Sequence, residues 1–345
     1  ISTDALPSEV IRLANGAGLK ILRMGISHGS VTLVNEKDCF EVTTFRSDVV
    51  ANGRHSRVSF SLNILDDAKR RDFTMNAIYM TITGEIVDPL SGWADLANSR
   101  VRFIGKPEKR IHEDYLRILR YFRFLAIYQQ HNISIDEKVV RACVEAIPGL
   151  KRLSNERVWG ELQKILCAEN PYFVLKVMQE YGILDEILPL ARVEGLQRFL
   201  KVEDQLTIKF KEINRLAVLN VSRVKSWIEV FPLKKEQKKW LDELLVSLGD
   251  NSSLRVKGYK YQTNIVKTSF IISQLEKVVT ISNNDLAEIE FGSLQEFPIQ
   301  ISDLLNFFSP SKDLGDEFKR LQNMWFSSNL ELTRAELLAE LKTNF

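Results

Sequence analysis

A short segment of this chain places three arginines among apolar residues. Arg117, Arg120 and Arg123 recur at every third position within IHEDYLRILRYFRF, residues 111–124. Burying a guanidinium without a counter-charge costs far too much free energy, so each arginine in this setting requires an anion. Arginine is also the side chain that holds a phosphate through two parallel hydrogen bonds. The segment therefore indicates a site for a nucleoside triphosphate or a nucleic acid.

Asp114 and Arg117 have the spacing of a base reader. A helix from Glu113 would place them as neighbours on one face, because residues three apart lie side by side. The acid could accept from the exocyclic amine of cytosine or adenine while the arginine donates to the ring acceptor beside it. Uracil and guanine lack this pattern, and a mismatch leaves buried polar groups unpaired. Arg120 and Arg123 continue along the same helix and could hold phosphates. The alternative interpretation is an ordinary ion pair within the helix, with the remaining arginines reaching solvent.

Arg70, Arg71 and Asp72 open a second motif, RRDFTMNAIY, at residues 70–79. Two adjacent cations and an acid point in different directions whatever the backbone does, so they can serve different partners. A cation can meet a phosphate, and the acid can accept from a ribose hydroxyl. A surface cluster of ion pairs explains the same residues, and the motif alone favours that simpler interpretation.

The first hundred residues predict a mixed α/β region that would carry these side chains. Strand alternation in Cys39–Phe45 places Glu41 on the face opposite Phe40 and Val42. The predicted elements are a helix from Pro7 that Gly16 and Gly18 end, strands Val31–Val34, Cys39–Phe45 and Ala77–Ile82, and a polar loop Arg46–His55 with Asn52-Gly53 as its turn.

Strand patterns disappear after about residue 105. Apolar residues then recur at helical spacing, as in Val158, Leu162 and Ile165, and prolines separate the runs. Between residues 201 and 260, 13 basic residues face 8 acidic ones. Basic surfaces on an elongated helical arm suit the phosphates of a folded RNA, although solvated helix faces explain the same charges.

The composition excludes several other classes of protein. The chain has 345 residues and a net charge of +2, so no overall basicity indicates nucleic acid. Its three scattered cysteines exclude a disulfide framework and a Cys-x-x-Cys pair. All four histidines fall within the first 131 residues, so the rest of the chain has none for a histidine-based metal site. No signal peptide or run of 18 apolar residues occurs, so a cytoplasmic location is expected.

Eight segments of the chain carry a resemblance to a known family. They are ISTDALP, HGSVT, FEVTTFRSDV, RRDFTMNAIY, DPLSGWADL, EDYLRILRYFRF, NERVWGELQKIL and YGILDEILPL. In this order and at this spacing they resemble the class II tRNA nucleotidyltransferases, the CCA-adding enzymes, whose catalytic head the bacterial poly(A) polymerases share. The resemblance is strong from residue 1 to about residue 200 and weak beyond.

The resemblance implies an activity and a set of site residues. The activity is addition of CTP, CTP and ATP to the 3′ end of tRNA, with a protein template and a two-metal mechanism that uses Mg²⁺. Arg71 and Asp72 would serve the ribose and the triphosphate, and Asp114 and Arg117 would read the base. The residues assigned to catalysis are Glu41, Arg71 and Asp72, with Glu41 facing the metal ions, and those assigned to nucleotide binding are Arg71, Asp72, Asn76, Asp114, Arg117, Arg120 and Arg123.

Two departures from the family pattern qualify this expectation. The family's head begins with GGxVRD and a DxD pair whose aspartates hold two Mg²⁺, and no DxD pair precedes ISTDALP here. Carboxylates must bring both metals to the nucleophilic hydroxyl and the α-phosphate, so we expect residues 1–345 alone to be inactive and their parent to be active. The second departure is that this chain has DVVANGRH where the family pattern is closer to DVxTDGRH. This segment belongs to the loop Arg46–Arg70, which by the resemblance would flex to switch the pocket from CTP to ATP.

The expected fold is α+β. An N-terminally truncated nucleotidyltransferase head with a mixed sheet would occupy residues 1–104. An elongated all-helical arm would follow, with a neck carrying the nucleotide-selecting helix at 105–166 and a tRNA-binding body and tail at 167–345. The expected partners are the 3′ end of tRNA, CTP and ATP, with no membrane and no protein partner.

Other functions remain open. A poly(A) polymerase shares the head motifs, but its loop before RRDFT differs from the GRH-containing loop here. An enzyme that adds only CC or only A is also compatible with the sequence. A noncatalytic RNA-binding relative fits the missing DxD but does not require base-reading and triphosphate-side residues together. A helical scaffold unrelated to nucleotides is the last alternative. In that case the arginine-bearing helix would only pack in the hydrophobic core.

Overall fold

A four-stranded mixed sheet begins the chain. The computed structural model describes residues 1–22, 25–36, 38–50, 57–128, 135–203, 210–275, 281–305 and 312–342. The sheet has the order β1-β4-β3-β2, with β1 parallel to β4 and the other pairs antiparallel. Its strands are β1 (Ser2–Thr3), β2 (Lys20–Leu22), β3 (Ser30–Asn35) and β4 (Asp38–Thr44), and α1 (Pro7–Gly16) lies between β1 and β2.

A small apolar cluster joins α1 to the sheet. Pro7 begins α1, where its missing N–H leaves no hydrogen bond unmade. Val10 of α1 packs with Val31 of β3 and Val42 of β4, and all three are buried. Because successive strand residues face opposite sides, burial of Val42 leaves Glu41 exposed on the other face. The predicted orientation of Glu41 is confirmed.

The predicted polar loop Arg46–His55 is wrong over its first half. Residues 46–50 form β5 (Arg46–Val50), which pairs antiparallel with β6 (Arg57–Phe60). Pairing supplies partners for the backbone N–H and C=O groups, and a polar sequence does not prevent that. The predicted turn at Asn52-Gly53, and His55, lie outside the described residues.

The predicted strand Ala77–Ile82 is mostly wrong. Only β7 (Tyr79–Met80) is a strand, paired with β8 (Ile86–Val87), and a 3-10 turn covers Thr74–Ala77. The buried Thr74 donates its hydroxyl to Asp95, and its N–H donates to the carbonyl of Arg102. These tertiary bonds hold the segment as a turn despite its apolar sequence.

Helices dominate the remainder of the first compact unit, Ile1–Pro189. α5 inserts Ile118, Leu119 and Phe122, all fully buried, into the core and packs against α7. The helices of this part are α2 (Ile64–Arg70), α3 (Gly92–Ala97), α4 (Pro107–Glu113), α5 (Leu116–Tyr128), α6 (Glu137–Glu145), α7 (Asn155–Leu166), α8 (Tyr172–Glu180) and α9 (Ile183–Ile187), with a 3-10 helix at Ile147–Arg152.

The second compact unit, Leu190–Phe345, is helical in all of its described parts. Trp325, Leu321 and Leu337 are buried in its C-terminal core. Its helices are α10 (Glu194–Glu203), α11 (Lys211–Leu219), α12 (Val224–Val230), α13 (Lys235–Gly249), α14 (Leu254–Lys260), α15 (Thr263–Ser273), α16 (Asn283–Ser293), α17 (Ile301–Leu304), α18 (Lys312–Ser327) and α19 (Arg334–Lys342).

The α+β class and the helical character after residue 105 are confirmed. No strand follows Val87 in the described ranges. The divisions at residues 104 and 166 are finer than the two compact units and stay predictions. No described helix combines the length and apolarity that crossing a membrane demands.

Candidate active site

A polar cleft opens in the unit formed by residues 1–189. Its volume of about 660 Å³ falls in the range that small-molecule ligands occupy. The cleft is lined by Ile1, Ser2, Glu41, Thr43, Arg70, Arg71, Asp72, Asn76, Asp114, Leu116, Arg117, Arg120, Phe124 and Arg157. The structure thus brings together seven of the predicted site residues, which are Glu41, Arg71, Asp72, Asn76, Asp114, Arg117 and Arg120.

A buried carboxylate organises the two arginines at the end of α2. Asp67 is 1% exposed and accepts from Arg70 Nη2 at 2.6 Å, Arg71 Nη2 at 3.0 Å and the Tyr79 hydroxyl at 2.8 Å. Spacings of three and four residues put both arginines on the same side of the helix as Asp67. Burial opposes ionisation, but Arg70, Tyr79 and Arg71 together hold the pKa of Asp67 below its ordinary value.

Asp72 is held from both sides. Its Oδ2 accepts from Arg120 Nε at 2.6 Å, and its Oδ1 accepts from the Asn76 side chain and the Phe73 N–H, each at 2.9 Å. Although burial disfavours the charged form, Arg120 and these donors keep the pKa of Asp72 below its usual value. Asp72 is therefore an ionised acceptor at the cleft surface.

The predicted placement of Asp114 and Arg117 on one helical face is wrong. α4 ends at Glu113, and Asp114 has extended backbone angles of φ −157° and ψ 107°. Its Oδ1 accepts from the Leu116 N–H at 3.1 Å, so the side chain satisfies a free donor at the start of α5. This capping bond competes with a continuous helix. Both side chains nevertheless line the cleft.

Separate partners hold Asp114 and Arg117. Asp114 Oδ2 accepts from Arg157 Nη2 of α7 at 2.7 Å. Arg117 Nη1 donates to Glu113 Oε2 at 2.7 Å and to the carbonyl of Arg110 at 2.8 Å. The acid and the guanidinium do not pair with each other in any hydrogen bond of the described residues. They are thus independently fixed on the cleft wall.

The break at Asp114 is also fixed by packing of the next residue. Tyr115 lies against Gly149 of the 3-10 helix so closely that a Cβ at Gly149 would come within 2.1 Å of the ring. Arg152 from the same 3-10 helix places its guanidinium carbon 5.6 Å from the centre of the Tyr115 ring. The aromatic ring therefore anchors the turn between α4 and α5.

Arg120 and Arg123 face different environments on α5. Arg120 lines the cleft and also approaches Glu161 of α7 at 3.9 Å. Arg123 donates to the buried Glu161 and lies over the Phe124 ring at 3.9 Å, and it is not among the lining residues. Its assignment to nucleotide binding stays a prediction.

Comparison with known proteins identifies the family. Residues 1–102 match the poly A polymerase head domain, and residues 132–193 match the probable RNA and SrmB-binding site of polymerase A. The chain is 30% identical to CCA tRNA nucleotidyltransferase 1, mitochondrial, of Danio rerio, over 99% of this chain and 81% of that protein. The chain belongs to the CCA-adding tRNA nucleotidyltransferase family. The protein of the same name from Mus musculus is also 30% identical, over the same shares.

A solved structure has the same fold as this family member. The CCA-adding enzyme of Bacillus stearothermophilus in complex with CTP superimposes with a TM-score of 0.74 at 21% identity. The match covers 99% of this chain and 87% of that one. At this level of identity the likeness shows the fold alone.

Sequence reasoning missed several residues that shape the site of this nucleotidyltransferase. Asp67 precedes Arg70 and Arg71 by three and four residues, and that helical spacing is a signal that could have found it. Arg157 lies 43 residues from its partner Asp114, and no local spacing predicts such a pair. Arg110 and Glu113 lie close to Arg117 in the sequence, but nothing in their residue types or spacing marks them as part of a site.

Glu41 is the candidate ligand for Mg²⁺ in the cleft. It lines the cleft from β4, whereas the other lining carboxylates, Asp72 and Asp114, are held by Arg120 and Arg157. In the described ranges no group of three or more His, Cys, Asp or Glu side chains is arranged to hold a metal ion. Glu41 therefore offers one carboxylate ligand on the wall of the cleft.

Proposed function

We propose that this protein adds cytidine, cytidine and adenosine to the 3′ end of tRNA from CTP and ATP. Its family membership and the names of its relatives support this activity. The observation that carries the proposal is the convergence of Asp114 with five arginines on one cleft of nucleotide size. Those arginines are Arg70, Arg71, Arg117, Arg120 and Arg157.

Asp114 and Arg117 select the base in this proposal. Cytosine and adenine both present an exocyclic amine beside a ring nitrogen that accepts. Asp114 accepts from the amine, and Arg117 donates to the ring nitrogen. Uracil and guanine would set acceptor against acceptor or donor against donor, which leaves desolvated groups unpaired. Because each side chain is already tied to its own partner, little ordering remains to be done when a nucleotide binds.

The other cleft residues bind the sugar and the phosphates. The lining arginines offer forked donors to the triphosphate oxygens and neutralise their charge. Asp72, ionised and fixed by Arg120 and Asn76, accepts from a ribose hydroxyl. Arg71 already donates to Asp67 and to the carbonyl of Asn76, so its main contribution is a fixed positive charge. Together these residues orient the α-phosphate for attack.

A divalent cation completes the proposal. Bound metal ions lower the barrier to nucleotidyl transfer by activating the attacking hydroxyl and neutralising phosphate charge. Mg²⁺ is the proposed ion and Glu41 the proposed ligand within this chain. The expectation that residues 1–345 alone do not catalyse stays a prediction. Full turnover of this polypeptide in a primer-extension assay would contradict it.

Incubation of the enzyme with Mg²⁺ and tRNA lacking CCA tests the activity. Supplied with all four nucleoside triphosphates, the enzyme should add three residues and stop. An open-ended adenosine tail would instead support a poly(A) polymerase, and addition of CC or A alone a partial enzyme. No addition, with tRNA still bound, would support the noncatalytic relative.

Binding measurements on residues 1–345 test the selective cleft without catalysis. CTP and ATP should bind more tightly than UTP and GTP. Equal binding of all four, or none, would leave the scaffold interpretation standing. A cytoplasmic location is also proposed, and fractionation of the source cells tests it.

A further inference from the structure

Arg110 connects two walls of the cleft without lining it. From α4 its Nη2 donates to the carbonyl oxygens of Arg70 and Arg71, each at 2.5 Å. Its Nη1 donates to Glu113 Oε2, the same oxygen that accepts from Arg117 Nη1. The Arg110 side chain is 11% exposed. One guanidinium thus reaches both the arginine pair and the carboxylate that holds Arg117.

The backbone bonds of Arg110 fall at the end of a helix. α2 ends at Arg70, and Arg71 is its C-cap. The last carbonyls of a helix have no partner within it and carry partial negative charge, so a guanidinium there is favourable. Arg110 therefore fixes the backbone from which Arg70, Arg71 and Asp72 extend into the cleft.

The backbone carbonyl of Arg110 also helps to hold Arg117. It accepts from Arg117 Nη1 at 2.8 Å, while Glu113 holds the same nitrogen at 2.7 Å. Arg110, Glu113 and Arg117 are all less than 16% exposed, so water competes little for these bonds. The position of the Arg117 guanidinium hence depends on where Arg110 lies relative to α2.

We propose that Arg110 is a positioning residue that holds the base-reading end of the cleft at a fixed place relative to its triphosphate-binding end. This inference rests on the proposed function, because it assumes that Arg117 reads the base. Arg110 acts through Glu113 and Arg117 and touches no nucleotide. Its loss lets the Arg117 guanidinium move, so selection between cytosine and uracil weakens.

Arg110→Lys is the decisive variant. Lysine keeps the charge and most of the length, but its single ammonium lacks the planar fork that spans two carbonyls and a carboxylate together. We expect the ratio of the UTP to the CTP dissociation constant, measured by titration of residues 1–345, to fall about tenfold. A merely structural role would weaken both nucleotides by the same factor and leave the ratio unchanged.

Arg117→Ala supplies the second arm of the test. If Arg110 acts through Arg117, the double variant should show the same ratio as Arg117→Ala alone, because coupled residues are not additive. Arg255→Lys is the matched control, since Arg255 also donates to a carboxylate, Glu288, at 2.8 Å and is 18% exposed. Its ratio should equal that of the wild type.

The outcomes separate this inference from the proposed function. A wild type that binds CTP and UTP equally overturns the proposed function. A selective wild type with an equally selective Arg110→Lys overturns the role of Arg110 alone. A further tenfold loss in the double variant also overturns it, because Arg110 would then act independently of Arg117. Thermal unfolding checks that each variant folds. If Arg110→Lys does not fold, Arg110→Gln takes its place in the test.

Discussion

Two carboxylates, one in the cleft and one behind it, pair with arginines of the cleft. Asp67 holds Arg70 and Arg71, and Asp72 holds Arg120. An arginine with a fixed carboxylate partner keeps its orientation, and this lowers the ordering cost when a phosphate arrives. The arginines nevertheless stay available, because a guanidinium has five donor hydrogens and these pairs use only some of them.

The base reader is the first target for mutation. Asp114→Ala and Arg117→Ala should each relax the preference for C and A by about 1–3 kcal/mol, the range of a bidentate base contact. Competition assays with the four nucleoside triphosphates measure this preference. Continued exclusion of UTP by both variants would show that the two residues do not read the base.

Asp67 should make the stability of the protein depend on pH. Its folded pKa lies below the unfolded value, so it contributes stability above the unfolded pKa and loses that contribution as pH falls through the folded pKa. Asp67→Asn should lower the free energy of unfolding by about 2 kcal/mol at pH 7, since charge-assisted bonds are lost.

Urea denaturation between pH 7 and pH 3 measures this dependence. The difference between wild type and Asp67→Asn should shrink below about pH 4, where the unfolded aspartate binds a proton. Glu9→Gln is the control, because Glu9 pairs with Arg12 in an exposed ion pair that adds little. A difference that is constant with pH would refute the charge argument.

At the scale of elements, the turn between α4 and α5 is the sensitive part of the site. Gly149→Ala would push a methyl group into the Tyr115 ring, 2.1 Å away, and should destabilise the protein by about 1–3 kcal/mol. CTP binding should weaken as well, because Tyr115 adjoins Asp114. Thermal unfolding and CTP titration measure the two effects.

Gly160→Ala is the matched control for Gly149→Ala. A Cβ at Gly160, inside α7, meets nothing within 4 Å. Alanine is the better helix former, so this variant should be at least as stable as the wild type. Unchanged stability and CTP binding in Gly149→Ala would show that Tyr115 does not anchor the turn.

The sequence predicts which residues belong to the site better than it predicts how they are arranged. Residue type and motif order place Glu41, Asp72 and Arg120 at one cleft, and the structure brings them together. The helix break at Asp114 escapes prediction because a side-chain cap and a tertiary contact with Gly149 create it. Helical spacing alone favours a continuous helix through Asp114, and long-range partners override it.

The sequence predicts a strand where apolar and polar residues alternate clearly. It misses a strand that forms only because a neighbouring strand pairs with it. β3 and β4 follow the predicted bounds within two residues, since Val31 and Val42 mark a buried face. β5 has no such pattern and exists because β6 pairs with it. Backbone pairing of this kind leaves little trace in composition.

At the scale of the whole molecule, the second compact unit carries exposed lysines suited to RNA. Lys235 and Lys238 lie in the first turns of α13, where the helix dipole disfavours cations. Neither takes part in a salt bridge within the described residues, whereas the neighbouring Lys239 pairs with Glu243. Binding of tRNA by this unit stays a prediction, and a phosphate backbone would satisfy these cations.

Salt dependence tests the role of the α13 lysines. Lys235→Ala with Lys238→Ala should weaken tRNA binding and reduce the slope of log K against log salt by about 1–2, while CTP binding stays unchanged. Lys20→Ala is the control, because Lys20 is an exposed lysine of β2 that lies outside both the second unit and the RNA-binding match at residues 132–193. An unaltered slope in the double variant would place the RNA elsewhere.

The junction of α4 and α5 imposes a length constraint on evolution. Asp114 is anchored to Arg157, whereas Arg117 is carried by α5, which rotates about 100° for each residue added or removed. A one-residue insertion or deletion between them would swing the guanidinium around the axis of α5 and away from the base. The number of residues separating the pair is therefore as restricted as their chemical identity, and indels should be purged from this junction.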